Sequence, residues 1–160
     1  MHVKNGKGEK IAIIYDSPIT NSKKKITYSE LKDKVSIFAG ALKNQGIEKG
    51  DRVIIYMPMI PEAVIGMLAC GRIGAVHSVV FGGFAAASLA KRIEDSSPKV
   101  IITADAGMRA GRVIPYKPLV DQAIAISAKK PEKVVLYTRD LFSDFDFESK
   151  IRRGLVLNLF

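Results

Sequence analysis

The sequence is poor in cysteine and histidine and contains no long apolar run. Its single cysteine, Cys70, excludes an internal disulfide, and two histidines are too few to complete a cysteine-rich zinc site with it. No apolar stretch reaches the roughly 18 residues of a membrane helix, and the N-terminal residues are too polar for a secretory signal. The pattern is typical of a protein in a reducing compartment. We predict the cytoplasm, with the mitochondrial matrix as the alternative.

The sequence is rich in apolar residues and in positive charge. Of its 160 residues, 48% are hydrophobic, which excludes intrinsic disorder and is enough for the core of one domain or of one lobe of a larger domain. Lysine and arginine number 25 against 16 aspartate and glutamate residues, so the formal net charge is +9. Such a balance favours an anionic partner, whether a nucleic acid, a phospholipid or a phosphorylated small molecule.

Short apolar runs of strand length alternate with amphipathic segments of helical length. The pattern predicts strands at residues 11–15, 52–56, 75–80, 100–103 and 133–137. Helices are predicted between them, at residues 27–46, 61–74, 85–95 and 118–128. Alternation of this kind favours an α/β fold with a mostly parallel sheet and helices on both faces.

Local signals set the ends of some of these elements. Thr27 and Glu30 have the spacing of a capping box, and Gly46 suits the left-handed turn that ends a helix. The run at 75–80 is apolar without alternation, so we expect that strand to be buried on both faces. Lys23–Lys25 is expected to form a solvated turn before the first helix.

One loop with anion-binding character follows the strand at 75–80. In parallel sheets, ligands bind beyond the carboxyl ends of the strands. The loop begins Phe81-Gly82-Gly83, and its two glycines allow a ligand to approach the backbone, whose amides can accept an anion. The alternative is a tight strand-to-helix turn with no ligand.

A second such loop follows the strand at 100–103. Arg109 and Arg112 are separated only by Ala110 and Gly111, so both guanidinium groups can face one side with space between them. Arginine makes forked, charge-assisted hydrogen bonds to phosphate oxygens, and the pair is therefore a candidate phosphate clamp. The alternative is a pair of solvated surface arginines.

Other residues give weaker indications. His77 lies in an apolar run and is expected to be a hydrogen-bonded core histidine, and Cys70 is expected to be a buried small apolar residue. The acidic residues of 144–148 alternate with phenylalanines, which favours an edge strand or an amphipathic tail over a metal site. Neither a dinucleotide-binding nor a Walker motif is present. We assign no catalytic residue and no metal ligand.

Two segments resemble a known enzyme family. Residues 50–63, GDRVIIYMPMIPEA, and residues 68–84, LACGRIGAVHSVVFGGF, resemble the acetyl-CoA and propionyl-CoA synthetases of the AMP-forming, adenylate-forming superfamily. The resemblance runs from Gly6 to Arg139, and the opening at 5–18 leans toward the propionate-type members. It implies a sub-lobe of the large N-terminal domain of those enzymes.

The resemblance implies a reaction and a ligand site. The family joins ATP and a short-chain acid into an acyl-adenylate with release of pyrophosphate, and CoA then displaces AMP. The segment Arg109-Ala110-Gly111-Arg112 resembles the one that holds the phosphorylated adenosine end of CoA, and Phe81-Gly82-Gly83 resembles a loop that lines the same channel. ATP, AMP and Mg are implied for the full-length family, but their site is expected to be absent here.

The site for ATP, AMP and Mg is expected to be absent because a motif of the family is missing. The family's phosphate loop, T-S-G-[ST]-T-G-x-P-K-G, occurs nowhere in the 160 residues. We therefore predict an N-terminal fragment of an acetate/propionate-CoA ligase that is inactive alone, with a partial domain at 1–140 and a divergent tail at 141–160. Its partners are expected to be CoA and either a second copy or the missing remainder of the enzyme. A non-catalytic module for CoA or another adenine nucleotide and a basic nucleic-acid binder are the alternatives.

Overall fold

The computed structural model describes residues 2–18, 20–109 and 111–139, and the backbone of 154–156. A helical turn, Val3–Lys7, precedes the regular elements. The strands are β1 (Ile11–Ser17), β2 (Ser22–Thr27), β3 (Arg52–Met57), β4 (Val76–Phe81), β5 (Val100–Ala104), β6 (Ala106–Arg109), β7 (Arg112–Pro115), β8 (Lys133–Tyr137) and β9 (Gly154–Val156). The helices are α1 (Tyr28–Asn44), α2 (Pro61–Ile73), α3 (Ala86–Ser96) and α4 (Tyr116–Ile126).

The main sheet has five parallel strands in the order β4-β3-β5-β8-β9. Successive residues of its central strands enter two different cores, as the period of a strand requires. Ile55 and Ile102 pack with α1 and α2 on one face, whereas Ile54 and Ile101 pack with α3 and α4 on the other. The predicted α/β class, with helices on both faces of a parallel sheet, is confirmed.

Helix α1 begins and ends at the predicted signals. The Glu30 amide donates to the Thr27 hydroxyl at 3.2 Å, and the Thr27 amide donates to the Glu30 carboxylate at 2.7 Å, which completes the capping box. The bond from the Thr27 amide is the main reason that the pKa of Glu30 is lowered. After the helix, Gly46 has a φ of +87°, the left-handed conformation that glycine adopts without strain.

The N-terminal hairpin departs from the prediction. Strand β1 pairs antiparallel with β2 and lies outside the main sheet. Lys23–Lys25 is therefore part of a strand, so the predicted turn is wrong, although all three lysines are exposed. Successive residues of a strand project from opposite faces, so both faces of this two-stranded ribbon are open to water at Lys23–Lys25. Lys23 forms an exposed ion pair with its register partner Asp16 at 2.9 Å.

Strand β4 is an edge strand, so the prediction that it is buried on both faces is wrong. Val80 is buried, but Val76, Val79 and Phe81 are 57%, 53% and 58% exposed. The strand order puts β4 outside β3, and no described residue pairs with its outer edge. His77 is exposed for the same reason and is not the core histidine that its apolar neighbours suggested.

Candidate functional site

The candidate site lies where β3, β4 and β5 end at the carboxyl edge of the sheet. After β5 the chain forms a β6–β7 hairpin, in which Arg109 pairs with Arg112 across a two-residue turn. Gly111, in that turn, has a φ of +74°, which a residue with a side chain rarely adopts. This hairpin is not predicted by the sequence pattern, because residues 106–109 lack the β-branched alternation of a typical strand.

The hairpin brings the two predicted arginines together. Directly opposed residues of an antiparallel pair project from the same face, so Arg109 and Arg112 leave the ribbon on one side. Both residues are exposed. Ala110, the other predicted site residue in this turn, lies outside the described residues. The arrangement suits contact with a polyanion. The binding role of residues 109–112 stays a prediction.

Arg109 also reaches the other predicted loop. Its guanidinium carbon lies 5.7 Å from the centre of the Phe81 ring, a cation–π distance. A Cβ added to Gly83 would lie 2.6 Å from Nη1 of Arg109 and 2.5 Å from the Phe81 ring, so the missing side chain makes room for this contact. The structure therefore joins Phe81, Gly83 and Arg109 in one cluster, and Arg112 is held beside Arg109 by the hairpin pairing.

Two buried tyrosines, Tyr56 and Tyr116, contact the glycine loop of this cluster. The ring of Tyr116 packs against the backbone of Gly82, so that a Cβ on Gly82 would overlap it. Tyr56 contacts Tyr116 edge to face, with ring centres 5.2 Å apart, and its hydroxyl donates to the Phe84 carbonyl at 2.8 Å. The Phe81–Phe84 loop is thus fixed at both ends. Sequence reasoning missed both roles, although a tyrosine in an apolar strand such as 52–56 needs a hydroxyl partner and could have signalled one.

Asp105 organises the start of the hairpin. Its side chain, in a residue only 2% exposed, accepts hydrogen bonds from the amides of Ala106 at 2.6 Å and Arg139 at 2.8 Å. Burial raises the pKa of this carboxyl, opposed by those two hydrogen bonds and by the Arg139 charge. Its carbonyl accepts from the amides of Tyr116 and Lys117, which ties the start of α4 to the end of β5. The only sequence signal for Asp105 was an acid directly after an apolar strand.

A concave surface lies elsewhere, between residues 2–4 and the first two helices. This groove has a volume of about 560 Å³, and its lining residues include Leu31, Leu68 and Arg72. None of its lining residues belongs to the loops at the carboxyl edge of the sheet. It is the natural comparison site for any binding experiment.

The described residues are better equipped for binding an anion than for covalent chemistry. Cys70 is fully buried in the core, and burial raises its pKa to about 11, so it is the inert apolar residue that was predicted. Within the part of the chain that the structure describes, no three metal-ligating side chains lie together. None of the helices in the described residues has the length and hydrophobicity of a membrane span. The acidic segment 144–148 lies outside the described residues.

A doubly covered parallel sheet with cationic and glycine-rich loops at its carboxyl edge is the architecture of a nucleotide- or cofactor-binding α/β domain. The sequence matches the family of AMP-binding enzymes over residues 2–152, and the chain belongs to that family.

The particular relatives are short-chain acyl-CoA synthetases, which confirms the resemblance. Acyl-CoA synthetase short-chain family member 3, mitochondrial, is 56% identical in Bos taurus and 55% in Homo sapiens, over 138 residues that make up 86% of this chain. Acetyl-coenzyme A synthetase of Shewanella frigidimarina is 53% identical over 133 residues, or 82% of this chain. In each case the match covers 20% of the relative, so the chain spans about a fifth of the length of these curated relatives.

Proposed function

We propose that this chain carries part of the CoA site of a short-chain acyl-CoA synthetase, the part that holds the phosphorylated adenosine end of CoA. The observation that supports the proposal is the cluster at the carboxyl edge of the sheet, where Arg109 stands beside Phe81 and Gly83. The relatives are named as CoA synthetases, and the resemblance of these two segments to the family segments of the CoA channel supports the same role here.

The chemistry of the ligand suits these groups. The adenosine end of CoA carries a 3′-phosphate, a compact dianion that an arginine pair can bind through two forked, charge-assisted hydrogen bonds. The exposed position of Arg109 and Arg112 leaves their donors free to turn toward such a group. Because Gly83 has no side chain, the Arg109 guanidinium can lie directly against this part of the glycine loop.

We do not expect this chain alone to form an acyl-adenylate. That step needs donors aimed at the transferring phosphoryl group, and the family's phosphate loop is absent from the 160 residues. ATP, AMP and Mg would then act only in a longer enzyme that has this loop. Incubation of the chain with ATP, CoA and acetate or propionate should give no AMP, and AMP formation would contradict this part of the proposal.

The proposed CoA site is tested by titrating the chain with CoA and with dephospho-CoA, which lacks the 3′-phosphate. We expect CoA to bind more tightly, and Arg109→Ala or Arg112→Ala to weaken its binding by about 1.5–3 kcal/mol each with little effect on dephospho-CoA. Arg72→Ala is the matched control, since Arg72 is an exposed arginine on α2 at the separate groove. Equal affinity for both ligands would contradict the clamp. Binding of duplex DNA with a steep salt dependence, without CoA binding, would instead support a basic nucleic-acid binder.

We propose further that the exposed edge of β4 is an association surface. The strand exposes the large apolar side chains of Val76, Val79 and Phe81 on its faces, and it contains none of the lysines, prolines or bulges that usually protect an edge strand. A second copy would cover this edge in the isolated chain, and the remainder of the enzyme would cover it in a longer polypeptide.

The cellular location is supported by the names of two relatives. The word "mitochondrial" in the names of the cattle and human relatives supports the matrix alternative over the predicted cytoplasm.

A further inference from the structure

We propose that Tyr116 is a positioning residue whose ring sets the spacing between the Phe81–Phe84 loop and the β6–β7 hairpin, and thereby the position of Arg109 relative to Gly83. The inference rests on the proposed CoA site and adds to it a residue that makes no contact with the phosphate. Its basis is the packing of one buried ring between two glycines, Gly82 in the loop after β4 and Gly107 in strand β6.

The two glycines are required by space. Gly82 and Gly107 are buried, and neither has the positive φ that would itself call for glycine. A Cβ on Gly82 would overlap the hydroxyl end of the Tyr116 ring, and a Cβ on Gly107 would lie 2.5 Å from Cε2 of the same ring. The glycine loop and strand β6 each approach the ring as closely as a bare backbone allows. The width of the ring therefore fixes the distance between these two segments.

The ring itself is held in place. Tyr116 is 6% exposed, and its amide donates to the Asp105 carbonyl at 2.9 Å, which fastens the first residue of α4 to the end of β5. Tyr56, which is fully buried in the central strand β3, packs edge to face against it. The hydroxyl of Tyr56 fixes the far end of the glycine loop through the Phe84 carbonyl. Tyr116 thus stands on a rigid base and is suited to act as a spacer.

The spacing reaches the proposed binding groups over short paths. Gly83 follows Gly82 directly, and Arg109 lies two residues after Gly107 in the same strand, β6. The gap that Tyr116 sets is therefore the gap across which Nη1 of Arg109 meets the Gly83 position. A displacement of about 1 Å is enough to spoil forked contacts to a phosphate, because such contacts depend on geometry as well as charge.

The test is a double-mutant cycle on the ratio of CoA to dephospho-CoA affinity. Gly82→Ala and Gly107→Ala should each lower this ratio about tenfold in the wild-type background and by less than about threefold in a Tyr116→Leu background, where the ring no longer opposes the added methyl group. Tyr116→Phe should keep the wild-type ratio, since it retains the ring. Gly40→Ala and Gly71→Ala are matched controls, because a Cβ at either position would meet nothing within 4 Å.

The outcomes separate the two proposals. A wild-type chain that does not distinguish CoA from dephospho-CoA contradicts the proposed function, and with it any role of Tyr116 in that function. A chain that does distinguish them, but keeps its ratio after Gly82→Ala or Gly107→Ala, overturns the role of Tyr116 alone. Equal losses in the wild-type and Tyr116→Leu backgrounds also overturn it. Thermal unfolding of each variant identifies a loss of fold, and in that event the Tyr116→Leu double variants, which relieve the overlap, decide the question.

Discussion

Strands β3 and β4 are neighbours of equal length that differ strongly in the burial of their side chains. They pair in parallel, residue by residue, from Arg52 and Val76 to Met57 and Phe81, and both are mainly apolar. Every residue of β3 after Arg52 is buried, whereas Val80 is the buried residue of β4. The difference comes from position, since among the described residues β3 has strands on both sides and β4 has a strand on one. Burial is thus set by what surrounds a strand, and the exposed apolar residues of β4 are the basis of the proposed association surface.

The largest expected difference concerns one pair of register partners, Ile55 and Val79. Ile55 is fully buried, so Ile55→Ala should lower the free energy of unfolding by about 2–5 kcal/mol. Val79 is 53% exposed, so Val79→Ala should change it by no more than about 0.5 kcal/mol. Urea unfolding at low protein concentration measures both. Similar losses at the two positions would show that β4 is covered even in the dilute chain.

A smaller effect is expected at Tyr56, where β3 supports the loop that follows β4. Tyr56→Phe removes the hydrogen bond to the Phe84 carbonyl and should cost about 1 kcal/mol at neutral pH. Burial, and to a lesser extent Tyr116, raise the pKa of Tyr56 from 10.0 to about 12. Its contribution to stability is therefore fully present below pH 10 and is lost as the pH rises through 12.

The same titration provides the control. Below pH 10 the Tyr56 phenol is protonated in the folded and unfolded states alike, so the difference between wild type and Tyr56→Phe should be constant there. Between pH 10 and 12 the wild type should lose stability faster than the variant. Parallel curves over that range, measured by denaturant unfolding, would mean that the phenol is not buried in solution.

The smallest effect on folding is expected from a lysine on the exposed edge. Val79→Lys should change the free energy of unfolding by at most about 0.5 kcal/mol, but it should convert associated chains to monomers, since a charge on an edge strand opposes pairing with another edge. Sedimentation velocity measures the change. Ile14→Lys is the control, because Ile14 is 72% exposed on the separate N-terminal hairpin and should leave association unchanged. An unaltered distribution for Val79→Lys would place the association surface elsewhere.

The same contrast explains what could be predicted from sequence. The buried strands and helix α1 were predictable because their signals are local, such as the capping box of Thr27 and Glu30. The edge position of β4 was not, because strand order depends on crossover connections and leaves no mark in the strand itself. The apolar runs of β3 and β4 look alike, and their surroundings differ.

The candidate site divides in the same way. Glycines and arginines in loops after strands drew attention because phosphate chemistry calls for those residue types. Tyr116 and Gly107 did not, because their role is steric and exists only once α4 and the hairpin have packed against the glycine loop. The hairpin was not predictable from its composition, because Ala106 and Gly107 occupy strand positions that usually hold β-branched residues.

If the loops at the carboxyl edge of the sheet bind the phosphorylated end of CoA, as we propose, their backbone amides should report it. An amide NMR titration of the chain with CoA, with dephospho-CoA as the reference, makes this measurement. We predict that the largest differences between the two ligands fall on Gly82, Gly83, Arg109 and Arg112. Changes confined to the groove lined by Leu31, Leu68 and Arg72, or identical shifts with both ligands, would contradict the claim.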